Sequence, residues 1–474
     1  MKSYEKFFVG GQWIDPFGSG FFQLVNPATE ETFARVRLGN AEDVDRAVRA
    51  ARLALPGFSA TSKDQRIAML ERIVAAFIER QDDLMAAITE EIGAPASLKG
   101  QTGSALQALQ QAIKTLKDYD FESNLEGNVV LREPIGVCGI ITAWNWPLQL
   151  LCTKIGSAFA AGCTLVVKPS EYTPIDTLIL AEVLEAADVP PGVFNVVIGD
   201  GPTVGDALAR HPGVDMISFT GSTRAGIQVA QAAAVTVKRV CQELGGKSAN
   251  IILQDADLRA AARYNVTRGC SNSGQSCHSP TRMLVHESQA AEFERYLVEE
   301  AAAIKVGDPL QANTTMGPVI NRAQFERVQG YIETGIAEGA RVLVGGPGRP
   351  EGIQRGYYIQ PTIFADVKPG MRIEQEEIFG PVMALLTYRT VDEAVEIANG
   401  TSYGLGGYIF AKDRSSARLV AERMKAGRIF LNGAPSNNVA PMGGYKQSGN
   451  GREMGVFGLE EYLEVKALLG FEDD

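Results

Sequence analysis

The hydrophobic pattern changes period along the chain, and the changes divide it. Near the N-terminus, Phe7-Phe8-Val9-Gly10-Gly11-Gln12-Trp13-Ile14 sets two β-rich pieces around a Gly-Gly turn, and Asn26-Pro27-Ala28-Thr29 marks a second turn before more extended sequence. From Ala41 to Tyr119 the spacing becomes helical. Ile67, Leu70, Ile73, Val74, Phe77 and Ile78 are expected on one apolar face, with Ser62 and Gln65 as a capping box ahead of them. From Ile135 to Leu244 short apolar strands alternate with helices, at Gly136 to Thr142, Thr164 to Val167, Phe194 to Ile198, Met216 to Phe219 and Val237 to Gln242. That rhythm predicts a parallel sheet with helical crossovers, covered on one side by the preceding helices. A second α/β series starts at Ala249, with strands expected near Ile251, Met283, Val342, Thr362, Ala384 and Tyr408. Two stretches, Leu125 to Arg132 and Tyr462 to Leu469, fit neither series. Both are extended and apolar, so they are expected to pair and to meet another subunit, because an uncovered apolar strand invites aggregation.

Length and composition bound the answer further. At 474 residues the chain is about three times a typical domain, so two or three packed units are expected. A hydrophobic share of 45% against 21% charged residues excludes a disordered or fibrous chain. The net charge of -11, without clustered lysine or arginine, argues against nucleic-acid binding. Leu148 to Val167 is about as long as a bilayer span, yet Lys154, Gly156 and Gly162 interrupt it, and it reads as a buried helix followed by a buried strand. No membrane association is expected. The N-terminus lacks a secretory pattern, so a cytoplasmic location is expected. The six cysteines, Cys138, Cys152, Cys163, Cys241, Cys270 and Cys277, contain no CxxC and no histidine at ligand spacing, so neither a disulfide framework nor a metal site is expected.

The candidate chemistry lies at strand ends. Pro134 to Leu148 runs a strand into Trp144-Asn145-Trp146-Pro147, where the Asn145 amide could donate to a developing oxyanion or merely satisfy its own turn. Lys168-Pro169-Ser170-Glu171 follows the next strand. Its charges can hold a ribose, and Glu171 would repel a 2'-phosphate, although a solvated surface pair is the plain alternative. Phe219-Thr220-Gly221-Ser222-Thr223 is a strand, a glycine turn and a helix start that offers amides to a pyrophosphate without being GxGxxG. Glu243, before Leu244-Gly245-Gly246, becomes a general base if it is held from water and stays an ordinary carboxylate if it is not. Cys277, in Gly274-Gln275-Ser276-Cys277-His278, is either a nucleophile or one more buried, inert thiol. A Cys-His protease would need a positioned histidine, and adjacency is expected to point His278 away from Cys277.

In their order along the chain, WNWPL, KPSE, FTGSTRAG, ELGGKSAN, GQSC, EEIFGPV and GGYKQSGNGRE resemble the aldehyde dehydrogenase superfamily over essentially the whole length. The position of Glu243 points to its non-acylating, hydrolytic NAD(P)-dependent branch. The resemblance implies an α/β fold with a Rossmann-type parallel-sheet cofactor domain (1–120 and 135–244), an α/β catalytic domain (245–440) and a β oligomerisation arm (121–134 and 455–474). It implies that Cys277 attacks an aldehyde, that Asn145 and the Cys277 amide hold the oxyanion, that Glu243 activates water against the thioester, and that Lys154 and Glu453 relay a proton. Trp144, Lys168, Ser170, Glu171, Gly221, Ser222, Leu244, Glu377 and Phe379 would hold the cofactor, NAD in preference to NADP. The aldehyde tunnel would be lined by Trp146, Gln149, Leu150, Thr153, Ser276, His278, Asn437, Met442 and Phe457. Trp146, Thr153 and Met442 depart from common family residues there. No arginine or lysine falls among these residues, which favours an uncharged aliphatic or aromatic aldehyde over an acidic semialdehyde. A homodimer or homotetramer is expected. The alternatives are a coenzyme A-acylating or acid-specific semialdehyde dehydrogenase, and a silent binding protein of the same fold.

Overall fold

In the computed structural model, which describes residues 1–471, five apolar segments lie side by side as a parallel sheet. They are β1 (Val137–Ile141), β2 (Thr164–Lys168), β3 (Phe194–Val196), β4 (Met216–Thr220) and β5 (Arg239–Glu243). β1, β2 and β4 are buried at every position, as expected of strands covered by helices on both faces. The spatial order is β3-β2-β1-β4-β5, and a two-residue antiparallel strand, Gly449–Asn450, closes the β5 edge. The order reverses direction between β1 and β4, which opens a crevice beyond the carboxyl ends of the strands. The apolar run considered as a membrane span divides into helix α1 (Pro147–Ala161) and β2. No helix among the described residues is long and apolar enough to cross a membrane.

The helices Ala41–Ser59, Lys63–Glu79, Gln81–Ile92 and Gly100–Asp118 precede this sheet, and Val44, Leu70, Phe77, Ile88 and Leu109 share one core with Ile140 and Val166. Ser62 and Gln65 form the expected reciprocal cap. Ile78 departs from the expected buried face and is 51% exposed, because it follows Phe77 by about 100° around the helix axis. The N-terminal hairpin pairs Phe7–Val9 with Gln12–Ile14 across the Gly10-Gly11 turn.

The second sheet contains β6 (Ala249–Ile252), β7 (Arg282–His286), β8 (Arg341–Val344), β9 (Thr362–Ala365), β10 (Val382–Tyr388), β11 (Gly406–Phe410) and β12 (Arg428–Leu431). Its order is β8-β9-β10-β7-β6-β11-β12, parallel except for β8. β12 escapes the sequence pattern because this edge strand is only half-buried throughout. At the start of β7, the fully buried Arg282 pairs with Glu374 at 2.8 Å and donates to the carbonyls of Lys247, Ile397 and Ala398. Removing one member of such a pair leaves a buried charge alone. Arg282→Met is therefore expected to cost about 3–5 kcal/mol in urea unfolding, seen as a lower midpoint.

Asn128–Pro134 and Leu463–Leu468 pair antiparallel, from Leu463↔Pro134 to Leu468↔Val129, and Glu122–Leu125 adds a third strand. Residues 472–474, the end of the segment assigned to the arm by sequence, lie outside the described residues.

Candidate active site

The carboxyl ends of β1, β2, β4 and β5 open into a cavity of about 520 Å³ that reaches from Lys168 and Glu171 to Glu243 and Cys277. Each end of this cavity is built by a local device. β1 stops where Trp146 leaves strand geometry and Pro147 starts α1, which leaves Asn145 buried beside the cavity. After β2, the buried Lys168 ammonium donates to Pro169 O at 2.7 Å and lies 3.4 Å from Glu171 Oε2. Burial depresses the Lys168 pKa, and Glu171 opposes that shift. After β4, Ser222 caps helix α2 (Thr223–Ala233) by accepting from Ala225 N, so the helix start faces the cavity. Gly221, Ser170 and Leu244 line the same region.

Cys277 sits between helix α3 (Leu258–Cys270) and β7, behind a turn with three successive left-handed residues, Asn272 (φ 51°), Ser273 (φ 56°) and Gly274 (φ 73°). A side chain at Gly274 would place its Cβ 2.1 Å from Gly380 C, so only glycine lets this turn pack there. The turn is tied to β1 by hydrogen bonds: Asn145 Nδ2 donates to Gln275 O at 3.0 Å, and Asn272 Nδ2 donates to Asn145 O at 2.8 Å. Gln101, on the helix Gly100–Asp118, donates to the same Asn145 carbonyl at 3.2 Å. Of the six cysteines, Cys277 alone is not fully buried. Its surroundings push the thiol pKa up, first by desolvation and then through the Glu243 and Glu377 charges.

Glu243 ends β5, and neither of its buried carboxylate oxygens has a hydrogen-bond partner. Burial raises its pKa well above the carboxylate range, and Glu453 adds to the shift, while Lys154, Arg452 and Arg428 oppose it. Lys154, on α1, forms a buried ion pair with Glu453. Glu453 lines the cavity, and Lys154 stands behind it. At the other end Glu377 Oε1 accepts from Gly246 N at 2.9 Å, and burial lifts its pKa to about 6. The rings of Phe379 and Trp144 meet edge to face, with centroids 5.3 Å apart.

Of the tunnel residues expected from sequence, Trp146, Gln149, Leu150, Thr153, His278 and Met442 line the cavity. Three do not. Ser276 is buried, and its hydroxyl accepts from Nε1 of the cavity-lining Trp146 at 2.8 Å. Asn437 lies on an exposed loop, and Phe457 is 53% exposed on the helix Gly455–Glu460. His278 also corrects an expectation, since its Nδ1 stands 4.0 Å from Cys277 Sγ instead of pointing away. Sequence reasoning missed Arg428, Gln324 and Arg327, which all reach the cavity. Gln324 Nε2 donates to Phe379 O at 2.7 Å and Arg327 Nη2 to Glu377 O at 2.5 Å. No local pattern announces them, because they act on the backbone of a distant segment.

Comparison with known proteins agrees with this geometry. Residues 13–468 match the model of the aldehyde dehydrogenase family. A 3-succinoylsemialdehyde-pyridine dehydrogenase of a Pseudomonas species is 50% identical over 475 residues, covering 100% of both chains. A putative aldehyde dehydrogenase of Staphylococcus aureus is 44% identical, covering 99% of this chain and 100% of the relative. Among solved structures, aldehyde dehydrogenase C from Pseudomonas syringae, complexed with NAD+ and octanal, superposes with a TM-score of 0.98 at 50% identity, covering 99% of this chain and 97% of that one. The Mycobacterium tuberculosis aldehyde dehydrogenase complexed with NAD+ gives 0.97 at 39% identity, covering 100% and 99%. The chain thus belongs to the aldehyde dehydrogenase family, in its non-acylating, NAD(P)-dependent branch.

Proposed function

We propose that this protein oxidises an uncharged aliphatic or aromatic aldehyde to its carboxylic acid with NAD. The observation that carries the reading is one cavity holding a reachable thiol, Cys277, and a buried carboxylate with both oxygens unpartnered, Glu243. The Cys277 thiol gives up its proton to solvent, its Sγ attacks the carbonyl carbon as the C=O π bond opens, and the resulting thiohemiacetal oxyanion accepts from the Cys277 amide and the second N–H of Asn145. The cavity suits a dinucleotide. Thr220 Oγ1 is buried there without a partner, the α2 N-terminus faces a pyrophosphate position, and Lys168 and Glu171 stand where a ribose would sit. Bound NAD would supply the acceptor for the hydride that the thiohemiacetal loses. Glu377 and Phe379 would orient that end of the cofactor. Glu243 then takes a proton from the water that attacks the thioester, the C–S bond breaks to release the acid and the Cys277 thiolate, and the Glu453–Lys154 pair beside Glu243 carries the proton outward.

Arg428 bears on the substrate class, because a guanidinium in the cavity could read a carboxylate. Its donors are spent instead on Pro441 O, Ser436 Oγ, Asn437 O and Ala440 O, which leaves one of about five N–H groups free. That leaves little of the guanidinium to pair with a substrate carboxylate and supports an uncharged aldehyde, as do the relative named for a pyridine-bearing semialdehyde and the Pseudomonas syringae enzyme complexed with octanal. We also place this chain in the cytoplasm, as a homodimer or homotetramer joined through the three-stranded arm, where Leu125 and Val465 are exposed.

A panel of alkyl, aryl and carboxylated aldehydes, each with NAD and NADP, tests the reading. The highest kcat/KM is expected for an uncharged aldehyde with NAD, and a preferred carboxylated substrate would overturn that part. Glu171→Gln removes the charge facing a 2'-phosphate. It is expected to improve kcat/KM for NADP about tenfold.

A further inference from the structure

His278 follows the nucleophile directly, and each of its ring nitrogens has a neighbour within contact distance. Nε2 lies 3.0 Å from Arg268 Nη2, in the last turn of α3, and Nδ1 lies 4.0 Å from Cys277 Sγ. Arginine keeps its protons and can only donate. Nε2 must therefore be the acceptor, and the ring proton must sit on Nδ1. The backbone of His278 is held as well, since Tyr408 Oη donates to its carbonyl at 2.6 Å.

We propose that His278 is a catalytic residue whose Nδ1–H donates to the Cys277 sulfur and stabilises it as the thiolate, with Arg268 as the positioning residue that sets the tautomer. This inference rests on Cys277 being the nucleophile. The role differs from that of a Cys-His base, because the Nε2 lone pair is occupied and His278 keeps its proton throughout. The sulfur needs such a donor. Desolvation and the charges of Glu243, Glu377 and Glu453 all oppose the thiolate. Burial, Arg268 and Arg428 also bring the imidazole pKa down to about 3, so the ring stays neutral at working pH. A neutral N–H donor favours an anion without itself titrating.

The test is the pH dependence of iodoacetamide alkylation of the full-length protein, with modification at Cys277 assigned by peptide mass. His278→Leu is expected to alkylate roughly tenfold more slowly at neutral pH and to recover at high pH, because losing the donor raises the thiol pKa. His278→Asn, which keeps an N–H near the Nδ1 position, is expected to stay within about threefold of the native rate. Arg268→Met frees the far nitrogen, so the ring proton is no longer confined to Nδ1, and alkylation at neutral pH is expected to slow at least about threefold toward the His278→Leu rate. Should His278→Leu fail to fold, Arg268→Met decides alone. Native profiles in the folded variants overturn the proposal. A fully active Cys277→Ala enzyme would instead overturn the nucleophile itself, so the two failures are distinguishable.

Discussion

Cys277→Ala is expected to lose aldehyde-dependent reduction of NAD by roughly 10⁴-fold or more, while still binding the cofactor. No other thiol can take over, because Cys138, Cys152, Cys163, Cys241 and Cys270 are all buried. The cavity wall should survive the change. The turn that carries residue 277 is fixed by main-chain geometry and by Asn145, Asn272 and Gln101, not by the sulfur. Absorbance of the reduced cofactor reads the loss, and quenching of protein fluorescence by NAD reads the retained binding. Residual turnover within tenfold of native would remove Cys277 from the mechanism.

Glu243→Gln is expected to separate the two halves of the proposed reaction. Attack and hydride loss do not need the carboxylate, so one equivalent of reduced cofactor per active site is expected as a rapid burst. Steady turnover should then fall by about 10²–10⁴, with acyl-enzyme accumulating. The pH profile carries the sign of the same effect. Burial and Glu453 raise the Glu243 pKa, so its base form is scarce in acid and gains population as pH rises. Native kcat should therefore climb with pH in this range, and in Glu243→Gln that limb should vanish. A variant with no burst and an unchanged limb would place water activation elsewhere.

The central strands of both sheets were legible because they are buried on both faces and read as short apolar runs. The strand-end motifs were legible for a related reason. Asn145, Lys168, Gly221 and Glu243 each follow a recognisable run at the same edge of one sheet. Positions that depend on the path of a loop were not. Asn437 and Phe457 lie close in sequence to Met442 and yet stand outside the cavity, whereas Arg428 enters it from the edge strand β12. His278 was misjudged because alternation between neighbours holds in strands, and residues 277 and 278 are not in one. Gln101, Gln324 and Arg327 act through distant main-chain carbonyls, a partnership that no local sequence pattern encodes.

The small strand Gly449–Asn450 has a consequence for how the protein is made. It completes the β5 edge, its neighbour Ser448 accepts from Leu244 N and donates to Gly245 O, and three residues later the chain delivers Glu453 to Lys154. The thiol is therefore translated long before the segment that finishes its surroundings. A nascent chain halted before residue 449 would carry Cys277 beside an open sheet edge and a buried Lys154 without its carboxylate, so the site is completed only once residues 449–453 have been made.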